Sequence, residues 1–141
     1  MRPVSRARAD GDLRRLFRAP LSEFHWVSIE TGTCAPGTPD SNYCCRGAEG
    51  WVEFKATAGW AVPLRPAQIA WLDRRGRAGG RGVVAVRRRT ADADELWLLD
   101  GSAARQLRAG GLRGSQALGA WGGGPTGWDW SSVAQLLTGN A

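Results

Sequence analysis

Trp51-Val52-Glu53-Phe54-Lys55-Ala56 is the stretch on which the fold turns. Its side chains alternate. An extended chain puts Val52 and Phe54 on one face and Trp51, Glu53 and Lys55 on the other. Lys55 is also the only lysine in the chain, against 18 arginines. An ammonium is compact and titratable, whereas a guanidinium is planar and permanently charged. A lone lysine two residues after a glutamate therefore raises a question of chemistry. The plain alternative is an exposed ion pair on an edge strand.

The neighbouring segments read outward from this strand. Ala48-Glu49-Gly50 reads as the turn before it, and Asp40 to Cys45 as a second strand. Thr31 to Thr38, with two glycines and a proline, reads as a loop. Phe24 to Glu30 alternates and reads as another strand. Asp10-Gly11-Asp12 reads as the cap of a helix through Leu13, Leu16 and Phe17, stopped by Pro20. Residues 1–9 are Arg-rich and read as frayed or solvent-facing.

Downstream, Gly59 to Leu64 is a loop and Pro66 suits the first position of a helix. Ala67, Ile69, Ala70, Trp71 and Leu72 form the apolar side of that helix. Its last turn is basic, and Gly79-Gly80 stops it. Gly82 to Val86 and Glu95 to Leu99 read as strands around the acidic turn Asp92-Ala93-Asp94. Ser102 to Leu107 reads as a helical turn or two, and 110–126 as loose, Gly-rich chain. Residues 129–137 form a closing helix capped by Asp129. Trp121, Trp128 and Trp130 are expected to pack this extension over the core. The sum is an α/β fold with mixed strand pairing in one domain, 1–141, its core at about 22–100.

Formal charge is +6 over 141 residues. That balance suits a polyanion such as nucleic acid, or an anionic membrane surface. Heavy use of Arg, Ala, Gly and Trp also fits a GC-rich coding sequence. No apolar run follows the basic N-terminus and none reaches 18 residues, so neither a secretory signal nor a membrane span is expected. Cys34, Cys44 and Cys45 are odd in number with two adjacent, which fits buried thiols in a reducing, cytoplasmic setting. With the single His25 they lack the spacing of a zinc site. His25 reads as structural, with general-base work left open.

Asp40, Glu53 and Lys55 make the chemically informative set. Gly37-Thr38-Pro39-Asp40 fixes the backbone just before a strand. If that strand pairs with Trp51–Ala56, Asp40 approaches Glu53. Two carboxylates held together call for a hard cation, Mg2+ or Mn2+. Such an ion acidifies a water and stabilises charge growing on a phosphate, and Lys55 would orient that water or neutralise the phosphate.

Pro39-Asp40 followed by Glu53-Phe54-Lys55 resembles the PD-(D/E)xK nuclease superfamily. The longer stretch from Gly37 to Gln68 resembles the small virus-type replication-repair nucleases (VRR-NUC) of phages and bacteria, relatives of Holliday-junction resolvases. The resemblance covers about residues 22–100. It implies a restriction-endonuclease-like core, a mixed four-stranded sheet flanked by helices. It implies metal-dependent endonuclease cleavage of DNA phosphodiester bonds, with branched or junction DNA among the expected substrates. The setting it implies is the cytoplasm of a bacterial or phage-infected cell, with roles in DNA repair and recombination. It carries metal ligation to Asp40, Glu53 and the Phe54 carbonyl, and catalysis to Asp40, Glu53, Lys55 and Gln68. Symmetric cutting of a junction would require a homodimer.

The family places a glutamate on its first helix, and this chain has none there. Asp10, Asp12, Glu23 and Glu30 are the alternatives. Glu30 ranks first, because it lies nearest Asp40 in sequence. For DNA contacts the expectations are Arg65, Arg74 and Arg75, with Arg77, Arg81 and Arg87 to Arg89 in support. Trp60 would stack on a base or fold back onto the core. Two other functions stand beside the nuclease. One is a DNA-binding module that kept the fold and lost catalysis. The other is a structural or protein-interaction component.

Overall fold

The computed structural model describes residues 6–29 and 35–139. In chain order these form α1 (Arg6–Leu16), β1 (His25–Ser28), β2 (Ser41–Cys45), β3 (Ala48–Thr57), α2 (Pro66–Arg77), β4 (Gly82–Arg89), β5 (Asp94–Asp100), α3 (Ala104–Gly110), β6 (Gly119–Trp121) and α4 (Trp130–Thr138). The strands build one sheet in the order β1-β2-β3-β4-β5-β6. Every neighbouring pair is antiparallel except β3 and β4, which are parallel. Parallel neighbours need a crossover, and α2 supplies it.

Burial follows from alternation. Along β4, Val83 and Ala85 join one buried cluster, while Val84 and Val86 join another. That is why its sequence is a continuous apolar run rather than an alternating one. The first cluster takes Leu13 and Phe17 from the α1 segment, Val52 and Phe54 from β3, and Val133 and Leu137 from α4. The second takes Ile69 and Leu72 from α2, Leu99 from β5 and Leu107 from α3. Each such side chain removed from water contributes about 1.5–3 kcal/mol. Residues outside 22–100 thus supply much of the first layer. Among the described residues no helix is long and apolar enough to cross a membrane.

Several expectations need correction. The sheet has six strands, not four. β6 has only three residues, too few to show alternation, and they lie within the Gly-rich segment read as loose. α1 is already helical from Arg6, so Asp10 is not its cap. The turn before β3 is Arg46-Gly47, with φ of 50° and 79°. Two positive φ values make the tight hairpin turn that matches strand twist. Ala48, Glu49 and Gly50 are consequently strand residues paired with Cys45, Cys44 and Tyr43. β4 runs through Arg89 because β5 pairs with it along that whole length.

Candidate active site

β2 leaves β3 at Val52, whose partner is Ser41. Beyond that point the vacated edge of β3 still carries backbone groups that need partners. Two carboxylates meet them. The Phe54 N–H donates to Asp40 Oδ2 at 3.0 Å, and the Ala56 N–H donates to Asp10 Oδ1 at 2.7 Å. A strand residue turns its N–H and its carbonyl to the same edge, so the Phe54 carbonyl opens here as well.

Asp40 is held from both sides. Its carbonyl accepts from the Ile29 N–H at 2.8 Å, and Pro39 beside it is buried. Gly37, at φ +82°, lies directly on the first turn of α2. A Cβ there would stand 2.1 Å from the Ala67 carbonyl oxygen, so this approach requires glycine. Asp10 arrives by helical periodicity, three and seven residues ahead of the fully buried Leu13 and Phe17. It therefore shares their inward stripe.

Four polar side chains are buried among the described residues, and three of them meet here. Glu53 is 2% exposed, Lys55 7% and Gln68 4%. Gln68 Nε2 donates to Glu53 Oε1 at 2.8 Å, and Gln68 Oε1 accepts from the Arg65 N–H at 2.9 Å. The first turn of α2 is thereby tied to β3. Lys55 Nζ stands 3.6 Å from Glu53 Oε1. Because β3 is an interior strand and both side chains are enclosed, the exposed edge-strand reading of this pair does not hold.

Glu53 Oε2 is buried with no hydrogen-bond partner. Burial, reinforced by the Asp40 and Asp10 carboxylates and opposed by Lys55, pushes Glu53 up to about 8. Asp40 is also raised by burial, against the Phe54 N–H and the charges of Lys55, Arg14 and Arg65. The cleft around these groups holds about 370 Å³. Asp10, Asp40, Glu53, Lys55 and Gln68 line it, together with Gly11, Arg14, Arg15 and Arg65.

Among the described residues no cluster of three or more His, Cys, Asp or Glu side chains is placed to hold a metal ion. Mg2+ does not need one. It takes one or two carboxylates and fills its octahedron with water and substrate oxygens. The unpartnered Glu53 Oε2, the Asp40 carboxylate and the Phe54 carbonyl are hard oxygen donors of that kind. The residues present fit such a cation.

Compared with protein-family models and with curated proteins, the chain matches none.

The other expected residues are placed as follows. Glu30 and Cys34 lie outside the described residues. Asp12 pairs with Arg15 in solvent, and Glu23 pairs with Arg46 at 2.7 Å. Arg65 lines the cleft; Arg74 and Arg75 do not. Arg75 lies instead over Trp71 and Trp51, 4.6 and 5.5 Å from the ring centroids. Trp60 folds back onto the core, with Arg88 and Arg113 over its ring at 3.7 and 4.1 Å and Trp97 edge-on. Arg87 and Arg89 pair with Asp94, and Arg88 pairs with Glu95. Arg81 donates to the Leu137 carbonyl at 3.2 Å. His25 is exposed on β1. Cys45 is buried as expected, but Cys44 is exposed, because neighbours on a strand face opposite ways.

Sequence reasoning ranked Asp10 below Glu30 and overlooked Arg14 and Arg15. The signal for Asp10 was an acid on the apolar stripe of a helix. Arg14 is one helical turn further along, at i+4.

Proposed function

We propose that this protein is a metal-dependent endonuclease that hydrolyses DNA phosphodiester bonds. The observation that carries the reading is the burial of Glu53, Lys55 and Gln68 together, beside Asp40, in a polar cleft at the edge of β3. Burying an acid, a base and an amide in one place costs folding free energy that apolar residues would not. Groups retained at such cost are candidates for chemistry. The arrangement also supports the PD-(D/E)xK resemblance. The mixed β1–β4 sheet, with α2 crossing between β3 and β4, has the form expected of a restriction-endonuclease-like core. Of the two acids on the first helix, Asp10 and Asp12, Asp10 is the one that lines the cleft.

Bound Mg2+ or Mn2+ would supply an acidified water and positive charge at the phosphate. Asp40, Glu53 and the Phe54 carbonyl would hold it, with Asp10 alongside. Gln68 fixes Glu53 by binding Oε1, which leaves Oε2 directed elsewhere. Asp40 is aimed by the Phe54 N–H. Lys55, anchored beside Glu53, presents an ammonium to the attacking water or the phosphate oxygens.

The test is incubation of the protein with Mg2+ or Mn2+ and labelled linear, flapped and four-way DNA. Cleavage is expected, with loss in Asp40→Ala and Glu53→Ala. Equal cleavage by those variants, or none by wild type, overturns the reading.

A further inference from the structure

The geometry points to a cleft that reads the sugar–phosphate backbone and not the bases, through an opposed pair of arginines, Arg14 and Arg65. The inference rests on the nucleic-acid substrate just proposed and specifies how that substrate is held.

Arg14 reaches the cleft from α1 and Arg65 from the residue before α2, so the two come from elements on opposite faces of the sheet. Both line the cavity, and both act electrostatically on Asp40. Neither has an ion-pair partner among the described residues. Among the described residues, most other arginines are committed. Arg15 pairs with Asp12, Arg46 with Glu23 and Arg77 with Asp73. Arg87, Arg88 and Arg89 pair across the β4–β5 ladder, and Arg75 and Arg113 lie on tryptophan rings. Two guanidinium groups with no ion pair among the described residues therefore converge on the cleft. Their forked donors suit phosphate oxygens.

The cleft also lacks a platform on which a base could stack. No aromatic or aliphatic side chain lines it. Bases of an opened strand are held by stacking on aromatic side chains. The tryptophans nearest in sequence are engaged elsewhere: Trp51 with Trp71 and Arg75, and Trp60 with Trp97, Arg88 and Arg113. Within the cleft, Lys55 stands against Glu53, and Arg15 is paired with Asp12. Arg14 and Arg65 are the lining cations with no ion pair among the described residues, and they face phosphates flanking the one under attack.

Binding decides the matter without requiring turnover. Fluorescence anisotropy would follow labelled oligonucleotides of two unrelated sequences, in EDTA and in Ca2+, across a salt series. Wild type, Arg14→Gln and Arg65→Gln would be compared, with circular dichroism confirming that each is folded. The expected result is equal affinity of wild type for both sequences. Each variant should bind about tenfold more weakly, with a log–log salt slope shallower by about one. Replacing one flanking phosphate by a neutral methylphosphonate should weaken wild type similarly and the matching variant no further. Variants that bind like wild type, or a wild type that prefers one sequence by more than about tenfold, overturn the inference. Weakened variants alongside a wild type that cuts nothing in Mg2+ or Mn2+ would uphold the arginine pair and overturn the hydrolytic reading.

Discussion

Lys55 is enclosed, and its Nζ lies 3.6 Å from Glu53 Oε1. A guanidinium would carry the same charge there, but it is wider and planar and cannot shed a proton. Lys55→Arg should leave DNA affinity within about threefold, since phosphate attraction survives. Single-turnover cleavage should fall by about 100-fold or more, the usual cost of misplacing a group that acts on the reacting atoms. Glu53 makes a second prediction, about stability. Its folded-state value, about 8, lies above that of an unfolded glutamate. Its contribution is thus fully present below the unfolded value of about 4.5 and is lost as pH rises toward 8. In cation-free buffer wild type should melt at a lower temperature at pH 8 than at pH 5. Glu53→Gln should flatten that slope and melt above wild type at pH 8. A wild-type melting temperature unchanged between the two pH values would count against the buried, unpartnered carboxylate.

The β4–β5 ladder shows how an element was misread through its charge. Arg87-Arg88-Arg89 suggests a phosphate-binding surface in sequence. In the fold Asp94 accepts from Arg87 Nε at 2.8 Å and Nη2 at 2.7 Å, and Arg89 lies at 3.5 Å. The Arg87 hydrogen bonds, then the charges of Arg87 and Arg89, hold the Asp94 carboxyl below its usual range. A depressed acid contributes stability above its unfolded value, and that contribution disappears as pH falls through the folded value. Asp94→Asn should therefore cost about 1 kcal/mol at pH 7 in urea unfolding, and much less at pH 3. An equal cost at both pH values would show that packing, not charge, ties these strands. Strand position was legible here. The partner of each arginine was not, because Asp94 and Glu95 become neighbours only once β5 folds back on β4.

At the scale of the molecule, the two ends of the chain close one face of the sheet. Leu13 and Phe17 enter from the α1 segment, and Val133 and Leu137 from α4. The buried Tyr43 hydroxyl donates to the Leu137 carbonyl at 2.5 Å. Removing residues 129–141 would forfeit two buried aliphatic side chains, about 1.5–3 kcal/mol each, and the hydrogen bond from that hydroxyl, about 0.5–1.5 kcal/mol more. Against a typical total of about 5–15 kcal/mol, the truncated chain should lose its cooperative unfolding transition in thermal circular dichroism. A sharp transition retained by 1–128 would show that the β3 site needs no C-terminal support.

The strongly periodic strands, the helix that begins at Pro66, and the placing of Glu53 with Lys55 on one strand face are legible in the chain alone. Those rest on local rules: alternation, the fixed φ of proline, and spacing along one strand. The folded chain alone brings Asp10 into the cleft beside Asp40 and gives the β4 arginines their partners. Asp10 is 46 residues from Ala56, the residue whose N–H it accepts, and local periodicity carries no information over that distance. The decisive event is that β2 stops at the partner of Val52 and leaves the Phe54 and Ala56 amides to be met by carboxylates. Where a strand ends against its neighbour is set by the packing of the whole sheet.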